Sequence, residues 1–245
     1  MSWKRPGPPL VLAVLVPFLT ASEQAHHWGY VGPTDPAHWE GTCHTGKAQS
    51  PIDISTAAVK SEKLAPLLFN YHRGPLRIID NGHTEQVGIP TGSNLTVGGE
   101  RFTLVQFHFH KPSEEVIDGR RFAMVAHLVH RDAKGHLAVV AVPIEAGASN
   151  PLIASLWAHL PHEKEKEDSP PGVSIDPTQL LPADHSYFTY MGSLTTPPCT
   201  EGVRWFVLKS PVTMSHAQIA AFAKVYPANA RPVQPINKRE VLDSK

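Results

Sequence analysis

The sequence predicts a mostly β (α+β) single domain, and three observations carry that expectation. Short segments rich in β-branched and aromatic residues dominate, separated by Gly, Pro, Asn and Asp. Only two stretches show helical spacing. No repeat or low-complexity linker divides the 245 residues, a length that fits one large domain. A hydrophobic content of 41% supports a sizeable core, and 24 prolines call for many loops and turns.

Taken in order, the first element is one the fold discards. Lys4 and Arg5 precede an apolar run, Leu10 to Leu19, and small residues follow at Ala21 and Ser22. This is the layout of a signal peptide, and the run is too short to span a bilayer. Residues 1–22 are therefore expected to be removed, leaving 23–245 as the domain. Cleavage after Ala25 and an uncleaved anchor are the alternatives. Removing Lys4 and Arg5 turns 22 basic and 22 acidic side chains into 20 and 22, a balance of −2. No basic footprint for nucleic acid is present, and no membrane contact is expected once the leader is gone.

Strands are expected at Leu76–Ile79, Thr84–Ile89, Asn94–Val97, Arg101–His110, Phe122–Val129, Leu137–Ile144, Tyr187–Tyr190 and Val203–Leu208. Helices are expected at Pro151–His159 and Ser215–Val225, the second with Ser215 as N-cap. The charged run Glu163 to Asp168 reads as a solvated loop. Export would place Cys43 and Cys199, the only two cysteines, in an oxidising compartment. One disulfide is the simplest outcome there, worth up to about 4–5 kcal/mol in the chain-entropy account of so long a loop. Two buried thiols are the alternative.

The chemistry starts from His108, His110 and His127. On a strand, Gln106, His108 and His110 share one face and Phe107 and Phe109 the other. In the next strand Val125, His127 and Val129 share a face. Two such strands side by side can aim three imidazoles at one point. Three neutral imidazoles with an open fourth position describe a catalytic zinc site, and zinc holding a water makes hydroxide near neutral pH. A lone His-x-His in a chain with 15 histidines is a weak signal; the surrounding motifs give it meaning.

Those motifs are His27-Trp28-Gly29-Tyr30, Gln49-Ser50-Pro51-Ile52-Asp53-Ile54, Asn81-Gly82-His83, Gln106-Phe107-His108-Phe109-His110, Pro112-Ser113-Glu114, His127-Leu128-Val129-His130, Gly192-Ser193-Leu194-Thr195-Thr196-Pro197-Pro198 and Asn229-Ala230-Arg231-Pro232. In this order they resemble an α-class carbonic anhydrase of the bacterial exported type, from His27 to Arg239. The resemblance implies a central twisted, mainly antiparallel sheet with a few short surface helices. It implies Zn2+ as cofactor, CO2 and bicarbonate as partners, hydration of CO2 as the reaction, and ester hydrolysis as a side reaction. It implies a periplasmic or secreted protein. Relatives of this type are often homodimers, and no residue here decides that point.

The residue roles are likewise those the resemblance implies. His108, His110 and His127 hold zinc. Thr195 takes the hydrogen of zinc hydroxide and donates its own to Glu114, which aims a lone pair at CO2. Val129, Val139, Leu194, Val203 and Trp205, with Thr196, form the wall where CO2 rests. His83 relays the proton, with Tyr30, Asn81 and Gln86 along its path. Gln106 orients His108, and the backbone near Asn229 orients His110. Cys43 and Cys199 match a family disulfide that pins the segment carrying Thr195.

Three positions depart from the family pattern. An acid normally stands two residues before the third histidine, where this chain has Val125. A histidine normally follows Ser-Glu, where it has Glu115. An apolar residue normally lies two past the shuttle histidine, where it has Glu85. Val125 cannot accept a hydrogen bond from His127, so Glu115 is expected to do so, directly or through one water, near Tyr190. The alternative leaves Glu115 protonated or paired elsewhere. Val125 also keeps open a second function, a carbonic-anhydrase-like binding or adhesion module with impaired catalysis. Glu85 must find a partner, reach solvent or take up a proton.

Overall fold

The structure, a computed structural model, describes residues 28–244; the expected signal peptide lies outside them. Nine strands form the path of one large sheet: β1 (Lys60–Glu62), β2 (Ile78–Asp80), β3 (Glu85–Gly88), β4 (Glu100–His110), β5 (Met124–Arg131), β6 (Leu137–Ala146), β7 (Tyr187–Ser193), β8 (Glu201–Leu208) and β9 (Leu242–Ser244). Their spatial order is β1-β9-β7-β8-β6-β5-β4-β3-β2. Leu68–Asn70, Asn94–Val97 and Val212–Met214 extend it to 12 strands. Most neighbours are antiparallel. β6 runs parallel to β8 and to Val212–Met214, and β9 runs parallel to β1.

The central strands read as near-continuous apolar runs because both of their faces are covered. In β6 every residue from Ala138 to Ile144 is buried. Pro143 is tolerated there because β6 changes partner at that point: residues 138–141 pair with β8, and residues 144–146 with Val212–Met214. The missing N–H therefore falls between two ladders.

The two faces have separate cores. Phe107 and Phe109 of β4 point into the larger one, among Leu152 and Leu156 of one helix (Pro151–Trp157) and Phe222 of another (His216–Val225). Ser215 caps the second helix in a reciprocal capping box with Gln218. The opposite face carries Val125, Val139, Val203 and Trp205 in a second cluster, and the histidines open beside it. A disulfide joins Cys43, in a one-turn helix (Thr42–Thr45), to Cys199 and packs under Trp39, Trp28 and Tyr30.

The charged run 163–168 is not simply solvated. Its side chains face water, but its backbone bonds to edge strand β2: Asp168 and Ile78 exchange N–H···O bonds, and Glu165 N donates to Asp80 O. Arg77 and Glu167 pair across the seam. An edge strand presents unpaired N–H and C=O groups, and that backbone need outranks the solvation of the acidic and basic side chains.

Candidate metal centre and its cleft

β4 and β5 pair antiparallel with His108 directly opposite His127. His110 lies two residues along β4, on the same face as His108. The three side chains therefore converge, and one nitrogen from each lies within 4.8 Å of the others. The remaining nitrogens are all engaged. His108 Nδ1 lies 2.8 Å from Gln106 Oε1, and His110 Nδ1 2.8 Å from the backbone oxygen of Asn229. His127 Nε2 lies 2.9 Å from Glu115 Oε1. This leaves Nε2 of His108, Nε2 of His110 and Nδ1 of His127 facing one point. Among the described residues His110 Nε2 is buried with no hydrogen-bond partner, an orphan that a metal ion would satisfy. Burial pushes the His108 pKa down to about 3 and that of His110 well below its ordinary value, so both are neutral, as ligation requires. At His127 burial also pulls downward, but the Glu115 and Glu114 carboxylates outweigh it and leave the pKa raised. The residues present fit zinc: three neutral-capable imidazoles, each oriented by a second contact.

Glu114 is fully buried behind this point. Its Oε1 accepts from the backbone N–H of Arg231 at 2.7 Å, while its Oε2 lies 3.5 Å from His110 Nε2. Burial pushes its pKa up to about 7; His127 opposes the rise, Glu115 adds to it, and the Thr195 hydroxyl and Arg231 N–H oppose it. Val125 packs in the apolar cluster. Tyr190 lies there too, its hydroxyl 3.2 Å from Ser50 Oγ, and it is held protonated first by burial and then by the charge of Glu115.

The histidines sit at the base of a cleft of about 250 Å³. Val129, Val139, Leu194 and Trp205 form one wall, with Thr195 and Thr196 beside them. Val203 is not on that wall; it is buried behind, in the cluster with Trp205. Tyr30, Asn81, His83 and Gln86 line the opposite side. Asn81 Nδ2 reaches Gln86 Oε1 at 3.5 Å. Burial raises the Tyr30 pKa well above its usual value, so the phenol keeps its proton. Trp28, part of the first motif but given no role by the sequence, also lines the cleft. Its ring stacks on His83 with centroids 3.6 Å apart and planes 10° apart, a contact across 55 positions that no local pattern signals.

A β-rich domain whose sheet offers three imidazoles to one point at the base of a partly apolar cleft has the donor set of a metalloenzyme centre. Residues 34–245 match the family model of the eukaryotic-type carbonic anhydrases. A carbonic anhydrase of Pectobacterium carotovorum is 43% identical over 241 residues, 95% of this chain and 97% of its own length. One from Klebsiella pneumoniae is 45% identical over 228 residues, 89% of this chain and 92% of its own. Among solved structures, the sulfanilamide complex of the Thermovibrio ammonificans α-carbonic anhydrase superposes with a TM-score of 0.84 at 42% identity, covering 88% of this chain and 98% of that one. The chain belongs to the α-class (eukaryotic-type) carbonic anhydrase family, and it is an enzyme of that family.

Proposed function

We propose that this enzyme catalyses the reversible hydration of CO2 with zinc held by His108 Nε2, His110 Nε2 and His127 Nδ1. The observation that carries this is the convergence of three imidazole nitrogens whose ring partners are all occupied. Zinc on such a triad brings the acidity of water into the neutral range, a behaviour for which carbonic anhydrases are themselves the reference case. The other contributions come from the chain. The apolar wall of Val129, Val139, Leu194 and Trp205 receives CO2, which has no charge to grip. Glu114, held by Arg231 N, accepts the Thr195 proton, so the Thr195 oxygen can only accept from the attacking oxygen. A lone pair then faces CO2, which is catalysis by orientation. His83 passes the released proton to buffer, and Tyr30, Asn81 and Gln86 line its route. Glu115 orients His127 in place of an acid at position 125, which removes the reason for reading the chain as an impaired binding module.

We further infer export and removal of residues 1–22. The leader pattern and the Cys43–Cys199 disulfide, which closes a loop between positions 156 residues apart, support this reading. Stopped-flow CO2 hydration with metal analysis tests the function. About one zinc per chain is expected, with activity lost to a chelator; full activity in metal-free protein would overturn it.

A further inference from the structure

Asn229 is fully buried, and every polar atom it carries is engaged. Its backbone N–H donates to Lys111 O at 3.0 Å, and its carbonyl accepts from His110 Nδ1 at 2.8 Å. Its side-chain Oδ1 accepts from Lys111 N at 2.8 Å. Its Nδ2 donates twice, to Phe109 O and to His83 O, both at 3.0 Å. One residue thus joins the strand carrying two of the three imidazoles to the turn carrying His83.

The turn 80–85 fixes its own shape. Asp80 Oδ1 accepts from Gly82 N, Asn81 Oδ1 accepts from His83 N and Thr84 N, and Gly82 adopts a φ of 83°. Where the turn stands relative to β4 is a separate matter. Thr84 Oγ1, donating to Phe109 O at 2.6 Å, anchors one side. The Asn229 carboxamide anchors the residue that carries the relay imidazole. Only a side chain with a double donor on one atom and an acceptor on the other can make all three of its contacts.

We propose that the Asn229 carboxamide is a positioning residue for proton transfer: it sets the distance between the metal centre and His83. This rests on the reading of His83 as the relay. Asn229→Asp keeps the volume and the acceptor for Lys111 N but replaces a double donor with one that can donate at most once, so His83 O and Phe109 O cannot both keep their bonds.

Turnover of Asn229→Asp in weak buffer should fall about tenfold, less than the roughly 10²–10⁴-fold of a whole general acid–base contribution because His83 itself remains. CO2 hydration kcat/KM should stay within about threefold, and added imidazole should restore turnover. Zinc affinity by chelator competition is read on Asn229→Ser, which adds no acid and keeps the backbone carbonyl on His110 Nδ1; its fall should be smaller than the fall in weak-buffer turnover of the same variant. Amide exchange at Gly82, His83 and Thr84 in metal-free protein should quicken by about tenfold as the turn loosens. Asn229→Asp added to His83→Ala should cost proton transfer nothing further. A joint fall in kcat/KM and zinc affinity without imidazole rescue, additive losses in the double variant, or no change in any of these would overturn the proposal. His83→Ala alone separates the two readings: if imidazole does not rescue it, the relay assignment fails; if it is rescued and Asn229→Asp is not, the positioning role fails. Where Asn229→Asp does not fold, Asn229→Ser removes the same bridge without the added acid and takes the same measurements.

Discussion

Glu115 and Glu85 are both buried acids, and the protein accommodates them in different ways. Glu115 is 1% exposed and has a partner, His127 Nε2 at 2.9 Å. Glu85 is 2% exposed; among the described residues its Oε2, like Glu115 Oε2, has no hydrogen-bond partner, so what distinguishes the two is the neighbour each one faces. Directly across β2 and β3 it faces another acid, Asp80, whose Oδ1 already accepts from Gly82 N and Tyr226 OH. Burial first, and Asp80 second, push the Glu85 pKa up to about 7, with Lys164 opposing. One carboxyl shares its cavity with an imidazole, and the other, facing a second acid, is pushed towards its protonated form. A buried acid is cheap where a cation or metal-bound imidazole shares its cavity, and costly where its neighbour is another acid.

The sharpest way to break this contrast is Glu115→Gln. If Glu115 orients His127 as a carboxylate, zinc affinity by chelator competition should fall by roughly 10–100-fold, the usual loss for a group behind a metal ligand. Unchanged affinity would make Glu115 a bystander. Next comes moving the acid. Val125→Glu alone sets a second buried carboxyl beside the first and should not improve affinity. Val125→Glu with Glu115→His should recover most of the loss and come within about tenfold of the parent. Failure of the double variant with success of neither single one would mean that the loop holding Glu115 has adapted around it.

For Glu85 the predicted readout is stability against pH. Its folded pKa, about 7, lies above the ordinary 4.5. Its contribution is therefore fully present below the unfolded pKa and declines as pH rises towards 7, because the unfolded chain releases the proton first. Glu85→Gln should flatten that decline. A gain of about 1 kcal/mol, the scale of one buried group, would raise Tm by roughly 2–4 °C at pH 8 and by little at pH 4. An equal gain at both would assign the effect to packing. The smallest effect is expected from Asp80→Asn, which keeps the acceptor for Gly82 N while removing the charge. The Glu85 titration followed by NMR should move down from about 7, and an unmoved midpoint would leave burial as the sole cause.

Much of the fold was legible because its longer strands repeat simple patterns. Phe107 and Phe109 alternate with His108 and His110, and the structure puts the two sets on opposite faces. The Asn94–Val97 segment agrees to the residue, and the helix after Ser215 begins at its expected cap. The short strands β1 and β9 were not legible. Three residues give no periodicity to read, and Lys60–Glu62 is polar and wholly exposed. The pairing of 163–168 with β2 was hidden for a related reason, since backbone bonds leave no mark on side-chain composition. Within the site, the histidines, Thr195 and Glu114 were readable from local motifs. The stacking of Trp28 on His83 and the side-chain bridge of Asn229 were not, because each joins residues far apart in sequence and neither residue type announces a partner.

The place of β9 has a consequence for biosynthesis. Of the nine strands on the path it emerges from the ribosome last, yet it lies second in the sheet, between β1 and β7. β1, made first, has no place in the sheet until β9 arrives. Throughout synthesis, then, β7 presents an open flank, the kind of template on which strands pair wrongly. A chain kept unfolded until complete, as one threaded through a membrane channel would be, avoids that hazard.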